Sequence, residues 1–157
     1  MFLDRKDGNK LHKGSVLVGY DLGNRYSQIS YCIYGQEDVD TVATVVGTKQ
    51  YNIPTVLCKR KGANQWLYGK DAVKNEQEDM IPVTGLVTLA RKGEEVKLED
   101  EIFDPVALLT LFIRRTMTLM NFIAPVEKID AIMFTVDEPD DRMVEILTLV
   151  SANLGLK

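Results

Sequence analysis

Val16-Leu-Val-Gly-Tyr-Asp-Leu-Gly-Asn-Arg-Tyr-Ser27 is the stretch on which the reading of this chain turns. An apolar run delivers one carboxylate, Asp21, to a glycine-containing turn, and a second strand-like run, Gln28–Tyr34, follows at once. Ser15–Leu22 is almost continuously apolar, as expected for a strand covered on both faces. In Gln28–Tyr34 the pattern alternates, with Ile29, Tyr31 and Ile33 on one side and Gln28, Ser30 and Cys32 on the other. Gly35-Gln-Glu-Asp38 reads as a turn and Val39–Val46 as a third strand. Three sequential strands with short connections make an antiparallel meander. An acid at the end of a buried strand is costly to fold around, which makes Asp21 the first candidate for a functional role.

Beyond the meander the character changes. Residues 47–100 carry short apolar segments broken by Pro54, Gly62, Gly69, Pro82, Gly85 and Gly93. Ile53–Cys58 and Gln65–Tyr68 suggest two short strands, Gly69–Gln77 a short helix, and Leu86–Ala90 with Glu95–Leu98 a hairpin around Lys92-Gly93. This part reads as a small α+β insertion on the main sheet. In the last third, Asp104-Pro105 supplies an N-cap and a proline at the first helical position. Apolar residues then recur at helical spacing from Leu108 to Ile123, ending at Pro125. Ile129–Val136 reads as a buried strand. Pro139 opens a second helix, with Asp137, Glu138, Asp140 and Asp141 at its positive end and Gly155 as its stop. The order is β-β-β, insertion, α-β-α, an α/β fold. A strand that follows a helix implies a crossover and parallel pairing with an earlier strand.

The 157 residues suit one domain or a lobe of something larger, with 45% hydrophobic and 27% charged residues as in ordinary soluble proteins. Residues 1–14 have no apolar core of a secretion signal and read as a frayed tail, leaving 15–157 as the lobe. A net charge of −4 argues against a nucleic-acid partner. The one basic cluster, Lys59-Arg60-Lys61 beside Gly62, reads as a solvated loop tip. The longest apolar run, Val106–Ile113, is too short to span a bilayer, so no membrane role is expected. Cys32 and Cys58, with a single His, do not have zinc-site spacing, and two reduced thiols in a cytoplasmic protein is the simpler reading.

Two common phosphate-binding devices are missing. There is no G-x-x-x-x-G-K-[ST], and Gly19-x-Asp-x-Gly23 lacks dinucleotide-fingerprint spacing and precedes a strand. What remains is a hairpin turn carrying Gly23, Asn24 and Arg25 directly after Asp21. Gly23 would let backbone N–H groups approach an anion, and Asp21 could hold a hydrated divalent cation through water. Together they could make half of a metal-phosphate site. The alternative is a hairpin whose Asp and Asn bond their own backbone, which is common turn chemistry.

Val18-Gly-Tyr-Asp-Leu-Gly-Asn-Arg-Tyr-Ser27 resembles the first phosphate motif of the actin, sugar kinase and heat-shock chaperone superfamily, closest to its seventy-kilodalton chaperone branch. Ile53-Pro-Thr-Val-Leu57 with Tyr68-Gly-Lys-Asp-Ala-Val-Lys-Asn75 is similar to that branch's Thr-Pro-Ser strand and the Gly-x-x-Ala helix after it. Asp130-Ala-Ile-Met-Phe-Thr-Val136, the following helix and Asn153-Leu-Gly-Leu156 are similar to its Ala-Val-Ile-Thr-Val-Pro strand and the helix ending in Ala-Gly-Leu. The resemblance runs in register from Val16 to Leu156. It implies a ribonuclease-H-like lobe, one wall of a cleft that closes on Mg-ATP. Asp21 would stand near the metal, and Gly23, Asn24 and Arg25 would face the phosphate.

The chain also departs from that pattern. Asn24 and Arg25 stand where the chaperones carry small hydroxyl residues, and Arg25 could pair with a phosphate or fill its space. The segment carrying the family's phosphate-reaching lysine is missing between Asn75 and Pro82. The family's second phosphate turn, adenosine pocket and catalytic acid fall beyond the point equivalent to Lys157. The expectation is therefore a lobe of a longer parent, with no catalytic residue of its own and no tight ATP or Mg binding alone. Its partner would be the second lobe or another protein. The alternative is an interaction or assembly module that keeps the fold without nucleotide turnover. His12 reads as solvated, Trp66 as core or a lobe contact, Met117 and Met120 as packing, and the acidic runs Glu99-Asp100-Glu101 and Glu76 with Glu78-Asp79 as surface.

Overall fold

Alternation in β2 (Val16–Leu22) organises the main sheet: Val18, Tyr20 and Leu22 are buried while Asp21 is exposed. A computed structural model describes residues 2–5 as backbone, and 11–74 and 78–156 in full. The expectation of a strand covered on both faces is thus corrected to one covered face. β2 pairs antiparallel with β3 (Tyr26–Ile33), setting Asp21 opposite Gln28 and Leu22 opposite Ser27. β4 (Val39–Thr41) pairs with β3 and is shorter than the expected Val39–Val46. Of the β4 residues and their extension, only Val42 is buried, so nothing on a covering layer prolongs the strand.

β11 (Ala131–Thr135) lies parallel to β2, with Thr135 opposite Asp21, as the crossover requires. β1 (Phe2–Arg5) pairs antiparallel with the outer edge of β11, so part of the segment expected to fray is an edge strand; the rest of that expectation touches residues 1 and 6–10, outside the described residues. The sheet order is β1-β11-β2-β3-β4, with β5 (Ile53–Pro54) paired to the start of β3. The molecule is mixed α/β.

The insertion holds a second sheet in the order β7-β6-β8, from β6 (Leu57–Arg60), β7 (Trp66–Tyr68) and β8 (Met80–Val83). Helix α1 (Gly69–Lys74) follows β7; the expected extension over 75–77 lies outside the described residues. The expected hairpin around Lys92-Gly93 is instead a helix, α2 (Leu86–Lys92). A short apolar run does not distinguish strand from helix, and here the i,i+4 pair Leu86 and Ala90, both fully buried, decides for the helix. Gly93 ends it at φ 68°, its N–H returning to Leu89 O. The hairpin falls one element later, between β9 (Val96–Leu98) and β10 (Glu101–Phe103).

Lys59 corrects another expectation. It is no loop tip: its side chain is 1% exposed, and Nζ lies 3.2 Å from Arg60 O, 3.4 Å from Glu99 Oε2 and 3.9 Å from Glu101 Oε2. Glu99 also accepts the Gly62 N–H at 3.0 Å. One carboxylate therefore ties the β9–β10 turn to the β6–β7 turn. Glu99 itself sits at φ 55°, a conformation that favours glycine, so these bonds hold a locally unfavourable backbone.

Two helices cover the sheet. In α3 (Pro105–Met117), Asp104 Oδ1 accepts the Val106 N–H as expected; the helix stops earlier than Pro125 and continues as a 3₁₀ turn over Thr118–Met120. In α4 (Asp141–Asn153) the cap is Asp140, whose Oδ1 accepts the Met143 N–H at 2.9 Å. Phe112, Ile113, Ile146, Leu147 and Val150 meet Val18, Tyr20, Ile29 and Phe134 in one core. Each large side chain buried there contributes about 2–3 kcal/mol. Tyr20 donates its hydroxyl to Thr116 Oγ1 at 2.6 Å, because Thr116 already donates to Ile113 O. Burial pushes the Tyr20 phenol well above its ordinary range, so it stays neutral. One core polar atom, Ser151 Oγ, has no hydrogen-bond partner among the described residues. Ser151→Ala is therefore expected to stabilise the fold by about 1 kcal/mol, read as a higher urea midpoint at unchanged slope.

Candidate functional site

The turn between β2 and β3 is built around a steric requirement at Gly23. A Cβ at that position would stand 2.3 Å from the Tyr26 carbonyl oxygen, so only glycine closes the turn in this geometry. Thr55 secures it from inside. Its hydroxyl donates to Gly23 O at 2.8 Å, its own N–H donates to Arg25 O at 2.9 Å, and Ser27 donates to Thr55 Oγ1 at 2.8 Å. Ser27 and Thr55 are both buried, so this hydroxyl chain fixes the turn to the insertion.

Asn24 has a remote task. Its Oδ1 accepts the Thr88 N–H at 3.2 Å, from the third residue of α2. The position before that helix is Gly85, which carries no side chain to cap it. Asn24 thus caps α2 from 64 residues away in sequence. With seven residues α2 is too short to hold itself, so both ends need outside partners. At its other end Arg91 reaches Asp140 through both terminal guanidinium nitrogens, Nη1 at 3.2 Å and Nη2 at 2.5 Å, and Glu138 Oε2 at 3.0 Å. The Arg91 guanidinium first, then the Met143 N–H, holds the Asp140 carboxyl below its usual range. Asn24→Ala is expected to cost about 1 kcal/mol and to speed amide exchange at Thr88 over that at Leu109, both read by hydrogen exchange.

Two clefts flank Asn24. One, of about 360 Å³, opens at the carboxyl ends of β2 and β11, with Leu22, Val87, Val136 and Met143 as apolar walls and Arg91 and Glu138 on its rim. The other, of about 440 Å³, lies between Arg25, Tyr26, Pro54, Val73 and Gly85. The four expected site residues do not converge on one point. Gly23, Asn24 and Arg25 share the turn, Asn24 reaches both clefts, Arg25 only the second, and Asp21 lines neither. Asp21 stands on the open face of the sheet between Gln28 and Thr135. Among the described residues no three His, Cys, Asp or Glu side chains gather as a metal site.

This arrangement fits a magnesium-phosphate group poorly. Such a group calls for cationic donors and turn amides facing one cleft, with a carboxylate near the metal. Here Arg91 is neutralised by two acids, the Asn24 carboxamide oxygen accepts from α2, which leaves that side chain only its amide protons, and Asp21 lines neither cleft. Sequence reasoning missed Thr55, Thr88 and Arg91, whose roles depend on contacts from distant segments. The Asx-turn alternative expects Asn24 to bond the backbone of its own turn, whereas its Oδ1 accepts a backbone N–H from the remote Thr88.

Residues 38–157 match a family described as the C-terminal part of a family of unknown function, DUF5716. The chain belongs to this family. The match covers most of the chain, from just before β4 to the end, and includes Thr55, Thr88, Arg91 and Asp140. The turn residues Asp21, Gly23, Asn24 and Arg25 precede it. In this DUF5716 chain, therefore, the partners that occupy the turn lie inside the family match and the turn itself outside it. None of the curated proteins matches the chain. Among the described residues no helix is long and apolar enough to cross a membrane.

Proposed function

We propose that this chain is an actin-like, ribonuclease-H-like lobe that works as an interaction or assembly module in the cytoplasm, without nucleotide turnover of its own. The observation that carries this reading is Asn24, whose carboxamide caps α2 in the turn where the resemblance expects a phosphate. The strand order, with a meander followed by a parallel β11 beside β2, supports the lobe assignment. Two free thiols suit a reducing compartment. The partner is the second lobe of the same protein or another protein, and the open edge of β4 is where it would pair. That edge is bordered by Val39 and by Phe122, each 68% exposed, with Phe122 set edge-on to Tyr31 at 6.2 Å between ring centres. Sedimentation of the chain with its full-length parent or a separately expressed second lobe tests this. Val39→Lys with Phe122→Ser should abolish any complex, and a complex that survives both changes overturns the β4 assignment.

A second reading rests on the cleft at the carboxyl ends of β2 and β11. Open α/β sheets commonly bind ligands there. On this reading the chain contributes the first phosphate and metal turn of an Mg-ATP cleft in a longer parent, with Asp21 acting through water. Calorimetry of the parent with Mg-ATP decides between the two. Tight binding lost on Asp21→Ala favours the nucleotide role, and undetectable binding favours the assembly module.

A further inference from the structure

Against the second sheet of the insertion, a cavity of about 380 Å³ opens along β7 and faces the end of α3. Arg60, Asn64, Gln65, Trp66, Met80 and Arg115 form most of its lining, and no carboxylate lines it. Two guanidinium groups beside two carboxamides is an unusual gathering in a chain of net charge −4. We infer that this cavity is a binding site for a small anion, a carboxylate or phosphate carried on a planar or apolar body.

Donor geometry supports the anion. Arg60 uses Nε on Asp79 Oδ2 at 3.4 Å, which leaves its Nη groups for a ligand. Among the described residues the Arg115 guanidinium makes no ion pair or hydrogen bond, although it lines the same cavity. Asn64 Oδ1 already accepts the Trp66 indole N–H at 2.9 Å, so what Asn64 has left to offer is its two amide protons. Guanidinium and amide donors gathered without a carboxylate in the lining are suited to carboxylate or phosphate oxygens.

The walls support the body. Trp66, Leu67 and Met80 supply apolar surface, and the indole packs perpendicular to the Phe103 ring with ring centres 5.4 Å apart. The cavity size is that of a small-molecule site rather than of a bare ion. Its position is a seam, because Arg60 and Trp66 belong to the insertion and Arg115 to the covering helix α3. A ligand here would join the insertion to the lobe, next to the Tyr68–Thr118 hydroxyl contact at 3.3 Å.

Trp66 is the single tryptophan of the chain, so its fluorescence and indole amide signal report this cavity alone. The test titrates the full chain with phenyl phosphate, with phenylacetate and with neutral benzyl alcohol. Saturable change with either anion is expected, and the anion that saturates first identifies phosphate or carboxylate as the ligand chemistry. Arg115→Gln should raise the midpoint about tenfold and Arg115→Lys should restore part of it. Asn64→Asp, also at an exposed position, should abolish the response by charge repulsion. Absence of saturation with both anions, an equal response to benzyl alcohol, or an unchanged midpoint in Arg115→Gln each overturns the assignment.

Discussion

Lys59→Glu is expected to cost more than about 3 kcal/mol and to leave the insertion unfolded at room temperature. The lysine is fully buried, and the two carboxylates it faces, Glu99 and Glu101, would then confront a third. Lys59→Met separates charge from packing. A chain of similar length keeps the buried stem and removes the desolvation penalty of the ammonium, so the methionine variant should lie within about 1 kcal/mol of the parent. Urea unfolding of the two variants measures both. Equal destabilisation by Met and Glu would mean that the ion pair, and not the stem, holds the site.

The same cluster has a pH signature. The Gly62 N–H first, then Lys59, lowers the Glu99 carboxyl below its ordinary value of 4.5. A carboxyl lowered on folding contributes stability that is complete above its unfolded value and is lost as pH falls through the native one. Stability should therefore decline below about pH 4.5, and Glu99→Gln should flatten that decline while lowering stability at neutral pH. A decline of unchanged steepness in the glutamine variant would assign it to other carboxylates.

Gly23→Ala is expected to cost about 3 kcal/mol, at the upper end of overpacking effects, because the added carbon meets the backbone oxygen of Tyr26 and no side chain can turn aside. Relief requires the turn to open, which would break the Thr55 bond to Gly23 O and draw Asn24 from Thr88. Circular dichroism and urea unfolding would show the loss without any ligand present. If Gly23 served only to admit a phosphate, the alanine variant would keep its stability and lose nucleotide affinity in a longer parent. Gly23→Ala with Asn24→Ala should cost less than the sum of the two, since the first change already disturbs the second contact.

Several elements were legible before any coordinates. The meander followed from apolar alternation and the turn at Gly35, and the start of α3 from Asp104-Pro105, because caps and periodicity act over a few residues. The parallel placement of β11 followed from the helix before it. Misreadings fall where a short segment supports two structures. Leu86–Ala90 suits strand or helix, and only burial of Leu86 and Ala90 against the core selects the helix. Lys59 looks solvated in a Lys-Arg-Lys run because nothing local announces Glu99, forty residues on.

The candidate site divides along the same line. Gly23 as a turn residue and Asp21 as the acid before it are properties of the chain read in order. That Asp21 faces outward, that Thr55 holds the turn and that Asn24 caps α2 are properties of segments brought together by folding. By itself the sequence determined the β2–β3–β4 meander, the capped starts of the long helices and the handedness-bound pairing of the last strand, because dihedral preference, capping and hydrophobic period are short-range. Only the tertiary structure decided what each polar side chain bonds, because a donor or acceptor is satisfied by whichever group long-range packing sets within 3 Å or so of it.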